Sequence, residues 1–140
     1  MRNFIDLRVA ASGAALFMTL LTSTRIHAEE RVWFEEPQDN AVVTSPVALK
    51  FGLEGMRIAP LRDKSYGAGH HHIIIDGEPV PKGEGIDFDE THIHYNSGLT
   101  GAKVELTPGV HKLTLQFGNG RHNSYGPGMS ATITVNVKPK

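Results

Sequence analysis

Apolar residues fall at every second position in short runs along most of this chain, and no useful stretch repeats them at helical spacing. Val47, Leu49, Phe51 and Leu53 share one face, with Ala48 and Lys50 between them. Val104 and Leu106 alternate with Lys103 and Glu105; Leu113, Leu115 and Phe117 with Lys112, Thr114 and Gln116; Ile133, Val135 and Val137 with Thr132, Thr134 and Asn136. Shorter strand candidates lie at 32–35 and 91–95, and the burst Ile73, Ile74, Ile75 predicts a strand covered on both sides. Turn residues at 37–40, 79–85, 108–109 and 118–120 punctuate the runs. This pattern predicts an all-β chain, an immunoglobulin-like antiparallel β-sandwich of about seven strands. Closed barrels and jelly rolls are the competing architectures. Cover for the isoleucine burst is expected from the long segment 77–101 or from a partner subunit.

Residues 1–28 read differently. Arg2 and Arg8 form a basic start, 9–21 an apolar run, and Ala28 a small residue suited to cleavage. The run falls short of the roughly 20 residues that span a bilayer, and Arg25 interrupts it. The expectation is a signal peptide over 1–28, followed by a single β-sandwich domain over 29–140. Such a protein is exported to the periplasm or beyond and keeps no membrane span after cleavage. The chain has no cysteine, which excludes disulfides, thiolate metal sites and cysteine nucleophiles. Its formal net charge is -1, without a basic run, so nucleic acid is not an expected partner.

Chemistry concentrates in the histidines. Residues two apart on a strand share a face, so His70 pairs with His72 and His92 with His94. In an immunoglobulin strand order, His70, His94 and His122 fall at one end of the sandwich, His111 at the other. The rim set is therefore His70, His72, His92, His94 and His122, with His92 about 7 Å along its strand. Imidazoles without thiolate suit Cu(II), Zn(II) or Ni(II), and the affinity order favours Cu(II) at an open site; Met129 or Met56 would add a soft ligand for Cu(I), although such residues more often serve packing. The pattern S-Y-G-x-G occurs at 65–69 and again at 124–128, both in loops assigned to that rim. His71 and His111 read as core-edge residues with one hydrogen bond each. Asp87, Asp89 and Glu90 read as a solvated charge run without calcium-loop spacing.

No H-E-x-x-H, G-x-S-x-G or phosphate-binding glycine loop is present. His92-Ile93-His94 is similar to the H-x-H of cupins, but Gly98 and Leu99 stand where that pattern wants a glutamate. The residues from Phe34 to Gly55, beginning F-x-x-P-x-D-N-A-x-V-x-S-P-V-x-L-x-F-G, are followed by Gly69-His70-His71-His72-Ile73-Ile74-Ile75-Asp76, then Thr91-His92-Ile93-His94 and Leu106-Thr107-Pro108-Gly109-Val110-His111. Together they resemble a family of small exported bacterial proteins classed as a domain of unknown function with a G-H-H-H-x-x-I-D signature. That resemblance implies an exported β-sandwich with no assigned activity. The leading functional expectation is a non-enzymatic, exported protein that binds copper or zinc at the rim. Two alternatives stand beside it. One is a module for envelope proteins or polymers, using Trp33, Tyr66, Tyr95 and Tyr125, with the histidines as a structural network. The other is an H-x-H metal hydrolase or lyase.

Overall fold

Alternation becomes architecture in a computed structural model that describes residues 28–95 and 97–140. The expected signal peptide lies outside the described residues apart from Ala28. The strands are β1 (Arg31–Glu36), β2 (Ala41–Val43), β3 (Val47–Glu54), β4 (Arg57–Ile58), β5 (Ala68–Ile75), β6 (His92–His94), β7 (Gly101–Val104), β8 (Gly109–Gly118) and β9 (Ser130–Val137). One sheet has the order β1-β3-β7; the other runs β2-β9-β8-β5-β4, with β6 also paired to β5. The sheets pack face to face through Val32, Phe34, Val47, Leu49, Phe51 and Val104 on one side and Ile73, Leu113, Leu115, Phe117 and Val135 on the other. Each such side chain, fully buried, contributes about 1.5–3 kcal/mol. The fold is an all-β sandwich.

All seven expected strands are present, with β2 and β4 in addition. Both additions are very short and pair in parallel, β2 with β9 and β4 with β5. Neither carries enough alternation to mark it in the sequence, and the larger sheet is mixed, while β1-β3-β7 is purely antiparallel. The isoleucine burst is only the second half of β5, which starts at Ala68 and carries all three consecutive histidines inside the sheet.

Strand β5 is buried on both faces. Its inward face presents His71 and Ile73 to the inter-sheet core. Its outward face, with His70, His72 and Ile74, is roofed by the connection 77–90. A backbone seam fixes that roof: Gly83 N donates to Ser124 O, Ser124 N to Glu84 O and Ile86 N to His122 O, each at 2.8 Å. The connection thus supplies the cover expected from 77–101, without a partner subunit.

Candidate metal centre

Register brings the histidines together. His72 lies opposite His94 across the β5–β6 pair, and His70 follows two residues along the same face. Across the β5–β8 pair, His70 faces Gly118 and His72 faces Gln116. A Cβ at Gly118 would lie 2.7 Å from the His72 ring, so the missing side chain makes room for that imidazole. His122 arrives from the loop after β8, on a residue with φ of 63°. A non-glycine residue in the left-handed region is uncommon. Asn119 holds it there, its Oδ1 accepting from Arg121 N at 2.8 Å and Asn123 N at 3.1 Å.

Three imidazole nitrogens converge on one atom. His122 Nδ1 is 3.2 Å from His70 Nε2, 3.4 Å from His72 Nε2 and 2.9 Å from His94 Nδ1. The outer nitrogens of two rings face backbone carbonyls, His72 Nδ1 toward Gln116 O at 3.3 Å and His94 Nε2 toward Asp87 O at 2.6 Å. A carbonyl only accepts, so each outer nitrogen carries the proton of its neutral ring, and each inner nitrogen presents a lone pair. His122 Nδ1 has either one proton or one lone pair. At most one of its three contacts is therefore a hydrogen bond. A network of neutral imidazoles leaves the other two as unbridged nitrogen pairs. His70 Nδ1 is buried without a partner.

The surroundings favour the unprotonated form of His70, His72 and His122. Burial pushes the His70 pKa down to about 4, helped by repulsion from His122 and His94. It pushes His72 to about 2, with His70, His94 and His122 adding to the effect. His122 is lowered by burial and then by His94. Neutral imidazole is the form that ligates metal. The ligand atoms of His70, His72 and His122 lie within 4.8 Å of one another, a spacing able to hold an ion. His94 touches this group through His122 but is not within that spacing of all three. Beside His94 and His122 opens a cavity of about 310 Å³, walled on its other side by Ile86 and Phe88.

His92 is not brought to this group. Its Nδ1 lies 2.9 Å from Asp89 Oδ1, which also accepts from Thr91 N, Thr91 Oγ1 and His92 N. Asp89, three residues before His92, closes a turn and captures the ring; that D-x-T-H spacing was the available signal. Asp87, Asp89 and His92 form a second, exposed group close enough to share an ion. His111 sits at the far end of β5, bonded to Asp76 and Thr107. His71 departs from its expected single hydrogen bond: it is fully buried between Phe51 and Phe117, and neither ring nitrogen has a partner. Met129 belongs to the hydrophobic core and Met56 packs against it. Of the four aromatics proposed as a contact surface, only Tyr66 is largely exposed. The two S-Y-G-x-G loops do meet, since Tyr125 Oη donates to Ala68 O at 2.8 Å, but Tyr125 is packed where Tyr66 is free.

A model of the family described as domain of unknown function DUF4399 matches residues 49–138. The chain belongs to the DUF4399 family. No curated protein and no solved structure matches it. The DUF4399 segment starts within β3 and contains the four converging histidines, the roof over β5 and the loop that carries His122. Among the described residues, no helix is long and apolar enough to cross a membrane.

Proposed function

We propose that this DUF4399 protein is an exported, non-enzymatic protein that binds one transition-metal ion, copper or zinc, through His70, His72, His94 and His122. The crowding of three ring nitrogens around His122 Nδ1 carries this reading. A tetrahedral ion with metal–nitrogen bonds of 2.0–2.1 Å separates its donors by about 3.3 Å. The 3.2 and 3.4 Å distances within the His70, His72 and His122 group fall around that edge length; His94, 2.9 Å from His122 but outside that group, would complete the set by a small shift of its ring. The carbonyls behind His72 and His94 fix ring orientation, as outer partners of metal-bound imidazoles do. Export rests on the sequence of residues 1–28, a basic start followed by an apolar run and a small residue.

Titration of chelator-treated protein with copper or zinc tests the reading. The expected result is one ion per chain, with an already folded metal-free protein whose melting temperature rises by about 10 °C at a hundredfold excess over Kd. A folded protein that takes up neither metal and shows no thermal shift would leave the histidines as a structural network.

A further inference from the structure

We infer that the site is built for monovalent copper, Cu(I), in preference to a divalent ion. This inference rests on the metal-binding reading above and concerns the charge of the ion. Imidazole donors alone do not discriminate, because they suit zinc and both common states of copper. The charge balance does. The four rings are neutral ligands; behind His72 and His94 stand the neutral carbonyls of Gln116 and Asp87, and His70 Nδ1 has no partner. Among the described residues, no carboxylate oxygen hydrogen-bonds to any of the four rings. The chain places carboxylates behind imidazoles elsewhere, Asp76 behind His111 and Asp89 behind His92. Here it places none.

Burial turns that omission into selectivity. His70 and His72 have no solvent exposure, and Ile86 and Phe88 present apolar surface to the remaining side. The cost of taking an ion out of water grows with the square of its charge, so a divalent ion costs roughly four times as much as a monovalent one of similar size. No anionic side chain among the described residues hydrogen-bonds to these rings to offset the difference, and the nearby Asp87 turns its carbonyl to His94. Met129 and Met56 pack in or against the core, so the preference comes from charge and not from a soft sulfur ligand.

The test is an anaerobic titration of the metal-free protein with Cu(I) and, separately, Zn(II), each against a chromophoric competitor. Phe88→Glu runs beside the unaltered protein. Phe88 is 83% exposed, so the fold tolerates the change, and its ring centroid is 5.0 Å from that of His94. The expected preference for Cu(I) over Zn(II) is at least about 100-fold. A new carboxylate attracts a divalent ion with twice the energy, so Phe88→Glu narrows the gap by about tenfold. Zn(II) binding as tightly as Cu(I) would overturn the inference and leave the metal site standing. A Cu(I) preference that Phe88→Glu does not change would overturn its electrostatic basis. Binding of neither ion would overturn both readings.

Discussion

Strand β5 has a histidine-bearing site at each end, and the two ends treat imidazole in opposite ways. At the Ile75 end, His111 Nδ1 meets Asp76 Oδ2 at 2.8 Å and Nε2 meets Thr107 O at 2.9 Å. Both partners are acceptors, so the setting accommodates a ring with two protons. At the Ala68 end, outer carbonyls take the only protons of His72 and His94, and four rings crowd their remaining nitrogens together without a carboxylate. One end surrounds its ring with acceptors; the other gathers lone pairs that could hold a cation. What distinguishes them is the charge of the second neighbour, not the residue itself.

The sharpest way to break that comparison is to remove ligands from each end. Structural metal sites bind with about 10–16 kcal/mol over their full ligand set, or about 3 kcal/mol per ligand. The His70→Ala/His72→Ala double variant should therefore lose on the order of 10⁴-fold in metal affinity. His111→Ala should stay within about twofold in metal affinity and lose about 1 kcal/mol of stability with its hydrogen bond to Asp76. Competition titrations and denaturant curves measure the two effects. Equal losses of affinity from both ends would erase the distinction.

Acid sharpens it next. In the metal-free protein, the folded pKa values of His70 and His72 lie below the ordinary histidine value near 6.5. Between those values the unfolded chain binds more protons than the folded one, so stability is fully present above about pH 6.5 and falls as pH drops toward 4. Each ring contributes a slope of at most about 1.4 kcal/mol per pH unit. Bound metal should move the decline to lower pH. Denaturant unfolding at a series of pH values, with and without metal, reads both; a metal-free protein equally stable at pH 7 and pH 4.5 would contradict the neutral-ring assignment.

The smallest effect separates binding from folding within the cluster itself. His122 occupies left-handed backbone that glycine adopts freely. His122→Gly should abolish tight metal binding, yet leave the metal-free protein within about 1 kcal/mol of the original. A large loss of metal-free stability would show that His122 holds the roof by packing rather than awaiting an ion.

Much of this was legible in the sequence, for a definite reason. Alternation reports one buried face, so the longer strands were readable from Val47–Leu53 or Leu113–Phe117. Spacing by two placed His70 with His72, while His94 and His122 were brought to them only by assuming an immunoglobulin strand order. Other features depend on what lies across space. His71 shares the period of Ile73, but nothing local reveals that Phe51 and Phe117 close around it without a hydrogen-bond partner. His92 shares the face of His94, yet a turn closed by Asp89 turns its ring aside. The carbonyls of Gln116 and Asp87 that set the tautomers are backbone atoms, on which sequence composition is silent.

The seam between 83–86 and 122–124 has a kinetic consequence. His122 stands on one side of it; on the other, the segment supplies Ile86 and leads directly to Asp87, whose carbonyl orients His94. Opening those three backbone bonds would part His122 from the segment that orients His94 and so break up the donor set itself. The lifetime of the assembled cluster is then tied to a local opening of the chain. Amide exchange at Gly83, Ile86 and Ser124 would read that clock directly.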